Sequence, residues 1–189
     1  MRFDSPSHPV IDARTEKDVK LKSFIADAIA VHDAAAPLTL VARATDSPVA
    51  RALAACVAES GRNDLKIQIV LFDIDSIVED HAASSILDLP AADIRMLQDV
   101  RFVSAHEQLV LGANRVWIGD CMRRDPQKRD AFEIYHGADA ASASHAIASF
   151  ARLWAAAKPL TRTVGRSLAP EVIAAGQVSG ADGLPTPRR

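Results

Sequence analysis

The stretch FVSAHEQLVLGANRVWIGDCMRRDP, residues 102–126, places one histidine, His106, at the head of an apolar run, with charge gathered at its far end. An imidazole there has the chemistry to attack phosphorus, provided a cation neutralises the phosphate oxygens and an acid orients the ring. Arg115, Arg123 and Arg124 are the nearby cations, and Arg binds phosphate through its planar fork. Asp120 and Asp125 interleave with them, so the same residues also read as a solvated face of mutually paired charges. His106 has an equally plain structural reading, as a strand-start histidine bonded to backbone or to a carboxylate such as Glu107 or Glu133. A second chemistry-bearing set is Asp73 and Asp75 in IVLFDIDSIVED, two carboxylates at the end of an apolar strand, a pattern suited to Mg²⁺ and to covalent phosphoryl transfer. An Asp-rich strand end is also simply how many loops begin.

The elements that must position these residues alternate from the start. Apolar residues at three- and four-residue steps predict a helix over 16–35, with Leu21, Phe24, Ile25, Ala28, Ile29 and His32 on one face, ended by Pro37. LTLVARA is a strand of the kind buried on both faces. Asp46 or Ser47 caps a following helix with Pro48 at its first position, and Gly61 closes it. KIQIVLF is the next strand. Short helices are expected around 82–87 and 91–97, separated by Pro90. The runs VRFVS, HEQLVL and RVWIG predict strands over 100–104, 107–111 and 115–118, the last two joined by the tight turn GAN. AFEIYH adds a strand over 131–136, and 143–158 a helix with Ile147, Phe150, Leu153 and Trp154 on one face. The sum is an α/β domain, a mixed β-sheet with helices on both faces.

The segment VRFVSAHEQLVLGANRVWIGDCMRRDPQKRDAFEIY, followed by ASFARLWAAAKPL, resembles one half of the phospholipase D superfamily. That family carries the motif HxKx4Dx6GS on a β-hairpin, then a strand with a Phe-Glu pair and a helix with Phe-x3-Trp spacing. Here Phe132 and Glu133 match the pair, Phe150 and Trp154 match the helix, and His106 falls on the motif's histidine. Gln108 stands in place of the lysine, Ala113 in place of the acid, and Asp120 follows Gly119 where the family has serine. The resemblance implies His106 as the nucleophile and leaves Glu133 as the acid that would orient it. Gln108, Asn114, Asp120, Arg123 and Arg124 would line the ligand site. It further implies a homodimer, since a single-half member completes its site by pairing two chains, and a ligand that contains phosphate. Without the lysine, a donor of the type commonly worth about 3 kcal/mol in such transition states is missing. The expectation is therefore a catalytically degenerate domain that binds a phosphate-containing ligand, a nucleic acid or a protein partner. An altered phosphodiesterase or nuclease using His106 is the alternative.

The Asp73 and Asp75 stretch looks like the first motif of the haloacid dehalogenase-like phosphatases, which would make the protein a Mg²⁺-dependent phosphomonoesterase. The interval from Asp73 to Asp120 is short for that family's intervening elements, and Ser76 and Ile77 depart from its pattern. His81, His136 and His145 have no zinc-site spacing with Cys56 or Cys121, and no phosphate loop or GxSxG elbow occurs. No cofactor and no bound metal is expected.

Bulk properties narrow the partners. The 189 residues suit one core, and 22 Lys and Arg against 24 Asp and Glu leave a net charge of −2, so no global field recruits nucleic acid or membrane. The start of the chain is charged throughout, and no apolar run reaches the ~18 residues of a membrane span. The reading is a cytoplasmic protein with reduced thiols and no membrane insertion. It divides into an N-terminal extension over 1–15, an α/β domain over 16–160, and a flexible tail over 161–189 rich in Gly, Pro, Ser and Arg.

Overall fold

The structure, a computed structural model, describes residues 9–33, 36–72, 86–89, 92–98, 105–123 and 132–160, with the backbone alone for 9–14. Within them the chain forms helix α1 (Pro9–Ala30), strand β1 (Leu38–Ala42), helix α2 (Pro48–Ser60), strands β2 (Ile67–Leu71), β3 (Ala92–Met96), β4 (His106–Leu111), β5 (Arg115–Cys121) and β6 (Ile134–His136), helix α3 (Ala140–Ala156) and strand β7 (Lys158–Pro159). The seven strands make one mixed sheet in the order β6-β5-β4-β1-β2-β3-β7. β1, β2 and β3 run parallel; β4 turns antiparallel against β1, and β5 and β6 continue the antiparallel half.

β1 is buried at every position, so alternation along it sorts residues between two cores rather than between core and water. Leu38, Leu40 and Ala42 join Leu21, Ile25 and Ile29 of α1 and Val49, Leu53 and Val57 of α2. Val41 faces the other way, with Val70, Leu97 and Met122 beneath Phe150 and Leu153 of α3. Helices thus cover both faces, α1 and α2 on one and α3 on the other.

Local chemistry sets the helix ends. α2 begins at Ser47 with Pro48 in its first turn and ends on Gly61, whose φ of 63° is the left-handed conformation that favours glycine. α1 begins at Pro9, within the stretch read as an extension, and ends at Ala30 rather than running on to Pro37. At that end Arg62, arriving from beyond α2, donates 2.9 Å hydrogen bonds to the carbonyls of Ile29 and His32. A cation there also suits the helix C-terminus. Asp139 caps α3, accepting from the backbone N–H of Ala141 and Ser142 and from the Ser142 hydroxyl. Those bonds hold its carboxyl below the usual carboxylate range.

Three expectations need correction. The segment expected as a helix over 91–97 is strand β3: Ile94 and Met96 are buried and Asp93 is exposed, a two-residue period. Its ladder with β2 runs from Ile67↔Ala92 to Leu71↔Met96. On α3 the buried stripe is Ala143, Ala146, Phe150 and Leu153, whereas Ile147 lies exposed. Small residues let the helix lie close to the sheet, and Ile147 falls off that line. The expected strand over 100–104 lies outside the described residues, as does most of the expected helix over 82–87, whose described end, Ile86 and Leu87, is part of a turn. The expected helix over 143–158 gives way at its end to β7, in which Lys158 and Pro159 pair with Met96 and Arg95. Pro is tolerated at such a sheet edge.

β6 is held against α1 through Tyr135. Its ring meets Phe24 edge-on at 5.2 Å and lies under the Lys20 ammonium at 4.3 Å, while its hydroxyl donates to Glu133 at 3.3 Å. Burial, and then the Glu133 charge, push the phenol well above its ordinary ionisation range.

Two measurements check this packing. Phe150→Ala should lower the unfolding free energy by about 3–5 kcal/mol, and Ile147→Ala should change it by less than about 1 kcal/mol in urea; the reverse order would mean that α3 presents another face. Tyr135 is the single tyrosine, so tyrosinate absorbance follows it alone. A folded-state value raised above the unfolded one, near 10, stabilises the fold fully below the unfolded value and is lost as pH rises through the folded one. The folded protein should therefore show no ionisation step near pH 10. Glu133→Gln should move the step down, and a normal step in the wild type would contradict the packing.

Candidate functional site

Where β1 ends and β4 begins, the antiparallel pairing brings Arg43 and His106 to the same end of the sheet. This is also the carboxyl end of the parallel strands, where open α/β sheets bind ligands. Arg43 donates its backbone N–H to Glu107 Oε1 at 2.9 Å and its guanidinium to the Met122 carbonyl. Ser47 does not cap α2 with its side chain; its hydroxyl donates to the same Glu107 oxygen at 2.7 Å. One carboxylate thus fixes the end of β1, the start of α2 and the start of β4.

His106 is exposed, and its Nδ1 lies 2.9 Å from the Gly119 carbonyl oxygen. A carbonyl only accepts, so Nδ1 carries the proton in this bond and Nε2 keeps the lone pair of the neutral ring. The ladder slips between His106 and Gln108, and a bulge of this kind re-aims a side chain. Gly119 itself is required: a Cβ there would lie 2.2 Å from the Trp117 indole. Phe132 stands beside the imidazole, with ring centroids 5.8 Å apart.

The other residues singled out from sequence divide into three groups. Gln108 is buried, and its amide donates to the carbonyl of Ala146 within α3 at 3.1 Å. Asp120 and Glu133 share a cavity of about 80 Å³ with Asp18 and Glu107, accompanied by the cations Lys17 and Arg51. Four carboxylates against two cations make that cavity unfavourable to phosphate. Arg123 is exposed just past β5, at the His106 end. Asn114 belongs to the hairpin turn at the other end of β4 and β5, about 17 Å away along the strand, where its carbonyl accepts from the Asp139 N–H. Arg124, Asp73, Asp75 and Asp125 lie outside the described residues. The structure therefore brings His106 and Arg123 to one end, sets Asp120 and Glu133 in an acidic cavity, and separates Asn114 from both.

Sequence reasoning missed Arg43 and Ser47. Their signal was position alone, directly after the first parallel strand. Among the described residues no group of three His, Cys, Asp or Glu side chains forms a metal site, and no helix is long and apolar enough to cross a membrane.

No protein-family model matches the chain, and no curated protein matches it. Among solved structures it is similar to TrmBL2, described as an archaeal chromatin protein with a novel mode of DNA binding, at 16% identity and a TM-score of 0.50 over 74% of this chain. The match covers 48% of TrmBL2, so the chain spans about half the length of that protein. It is also similar to Nuc from Salmonella typhimurium, a phospholipase D family member, at 11% identity and a TM-score of 0.48, over 74% of this chain and 90% of Nuc. At such identities the likeness to TrmBL2 is one of fold: an α/β domain built on a mixed sheet.

Proposed function

We propose that this chain is a phospholipase D-like domain that binds a phosphate-containing ligand without hydrolysing it, and that it does so as a homodimer. The observation that carries the reading is the hydrogen bond from Gln108 to Ala146. The residue that takes the place of the motif's lysine is neutral, buried and committed to holding a helix. It supplies no positive charge to a pentacoordinate phosphorus, and such a charge is a large part of this chemistry. Among the described residues, His106 and Arg123 stand exposed at the sheet end to meet a phosphate. A nucleic acid is one form of such a ligand, and TrmBL2, which shares the fold, is a DNA-binding protein.

One observation favours a second reading. His106 has Nδ1 fixed on the Gly119 carbonyl, so in the neutral ring the lone pair that would attack phosphorus is on Nε2. In that reading the protein is an altered phosphodiesterase, with Arg123 or Arg124 in the lysine's role. The phosphomonoesterase reading rests on Asp73 and Asp75 alone.

The test is turnover of bis(p-nitrophenyl) phosphate and p-nitrophenyl phosphate, in EDTA and in Mg²⁺, by the wild type, His106→Ala and Asp73→Asn. The expected result is no turnover of either substrate. A labelled oligonucleotide should bind in a salt-dependent way, and Arg123→Ala should weaken that binding. Sedimentation should give twice the chain mass of 20.2 kDa. Metal-independent diester cleavage lost in His106→Ala would replace this reading with the second. Mg²⁺-dependent monoester cleavage lost in Asp73→Asn would replace it with the third.

A further inference from the structure

At the end of the sheet opposite His106, a groove of about 360 Å³ opens between α3 and the first residues of β1. Val110 and Gly112 at the hairpin, Thr39 and Gln68 on the sheet, and Ile147 and Trp154 on α3 are among the residues that line it, and among the described residues its lining carries no charge. Its volume lies within the range of small-molecule sites, which are mostly apolar with a few polar anchors. The wall is held in place: Trp154 stacks on Phe150 at 5.4 Å, and the Arg95 guanidinium sits over the Trp154 ring at 4.1 Å. Ile147, 45% exposed, stands at the groove as one of the exposed large apolar side chains.

Thr39 supplies the second, independent observation. Its neighbours Leu38 and Leu40 point into the α1 and α2 core, so its own side chain faces α3 and this groove. It is 6% exposed, and its hydroxyl has no hydrogen-bond partner. Buried hydroxyls are normally paired, and an exception calls for a reason. The two other unpaired buried donors have polar company: Arg95 also bonds the Trp154 carbonyl, and Trp117 stands beside the Tyr135 hydroxyl. Thr39 borders the groove, beside its cross-strand neighbour Gln68, and bonds to neither a side chain nor the backbone. Its oxygen is buried, on a residue that lines the groove, and rotation between staggered χ1 wells is the motion that re-aims such a hydroxyl.

We propose that this groove binds a compact, uncharged, mainly apolar molecule carrying one hydrogen-bonding group, which pairs with the Thr39 hydroxyl. The uncharged lining among the described residues favours a neutral ligand, because an ion would lose its hydration there without gaining a counter-charge from them. The site is separate from the sheet end that holds His106 and does not depend on what is bound there.

Titration of the 189-residue chain with 1-naphthol and with naphthalene tests this, followed by calorimetry. Wild type should bind 1-naphthol saturably at one site, about ten-fold more tightly than naphthalene, as one buried hydrogen bond allows. Ala151→Phe, at an exposed helix position lining the groove, should weaken both by at least about ten-fold with an unchanged melting temperature. Thr39→Val should leave naphthalene binding intact and abolish the preference for 1-naphthol. Non-saturating binding, or binding untouched by Ala151→Phe, would overturn the site. A preference that survives Thr39→Val would overturn the role of the hydroxyl. An affinity that falls as protein concentration rises would assign the groove to a second copy of the chain and overturn the small-molecule proposal.

Discussion

The antiparallel pairing of β4 with β1 is the seam on which the molecule depends. β1 already pairs with β2 in parallel, and it accepts β4 on its other edge with Leu40 opposite Leu109 and Val41 opposite Gln108. That register sends Leu109 and Leu111 into the core under α1 and α2 and Val110 toward α3. A slip of one residue would exchange the two sets, so burial on both faces specifies the register strongly. The Glu107 carboxylate reinforces it by binding the end of β1 and the Ser47 hydroxyl together. The seam also decides where chemistry can sit, because it lays the first residue of β4 beside the carboxyl end of β1.

From that placement follow the two features that distinguish the site. The bulge after His106 hands its Nδ1 to a backbone carbonyl, while Gln108, past the bulge, reaches across to α3. A side chain in Gln108's position is enclosed by the sheet and the helix, and its amide satisfies its donor there on the Ala146 carbonyl. Satisfying a buried amide in this way stabilises the docking of α3, and leaving it unsatisfied would cost about 1–3 kcal/mol. The position is thereby fitted to packing, which is the physical basis for reading the domain as a binder. Asp120 and Glu133 lie together in a cavity on the α1 side, where they add negative charge.

Much of this was legible in the sequence, for identifiable reasons. β1 and β2 are dominated by Val, Ile and Leu, with no competing helical period. Gly112 to Asn114 is a turn composition, and Gly61 occupies the left-handed position that ends α2. β3 was not legible: ADIRM is a five-residue stretch, too short for periodicity to separate strand from helix. On α3, the larger apolar residues drew the expected face toward Ile147, whereas Ala143 and Ala146 set the actual contact with the sheet. His106, read from the sequence as a strand-start histidine bonded to backbone or to a carboxylate, bonds the Gly119 carbonyl. The role of Gln108 was hidden for a different reason: it bonds to a backbone carbonyl of α3, and a partner carbonyl leaves no mark in residue type. Thr39 likewise reads as an ordinary strand residue until α3 is in place above it.

The most direct test of the central claim is to restore the lysine. Gln108→Lys would put a cation into an enclosed position whose present occupant is tied to Ala146. Urea unfolding of this variant should show a loss of roughly 2 kcal/mol or more, with no turnover of bis(p-nitrophenyl) phosphate. Native stability together with metal-independent diester cleavage would show instead that the position faces a working phosphate site, and would contradict the reading of this domain as a binder.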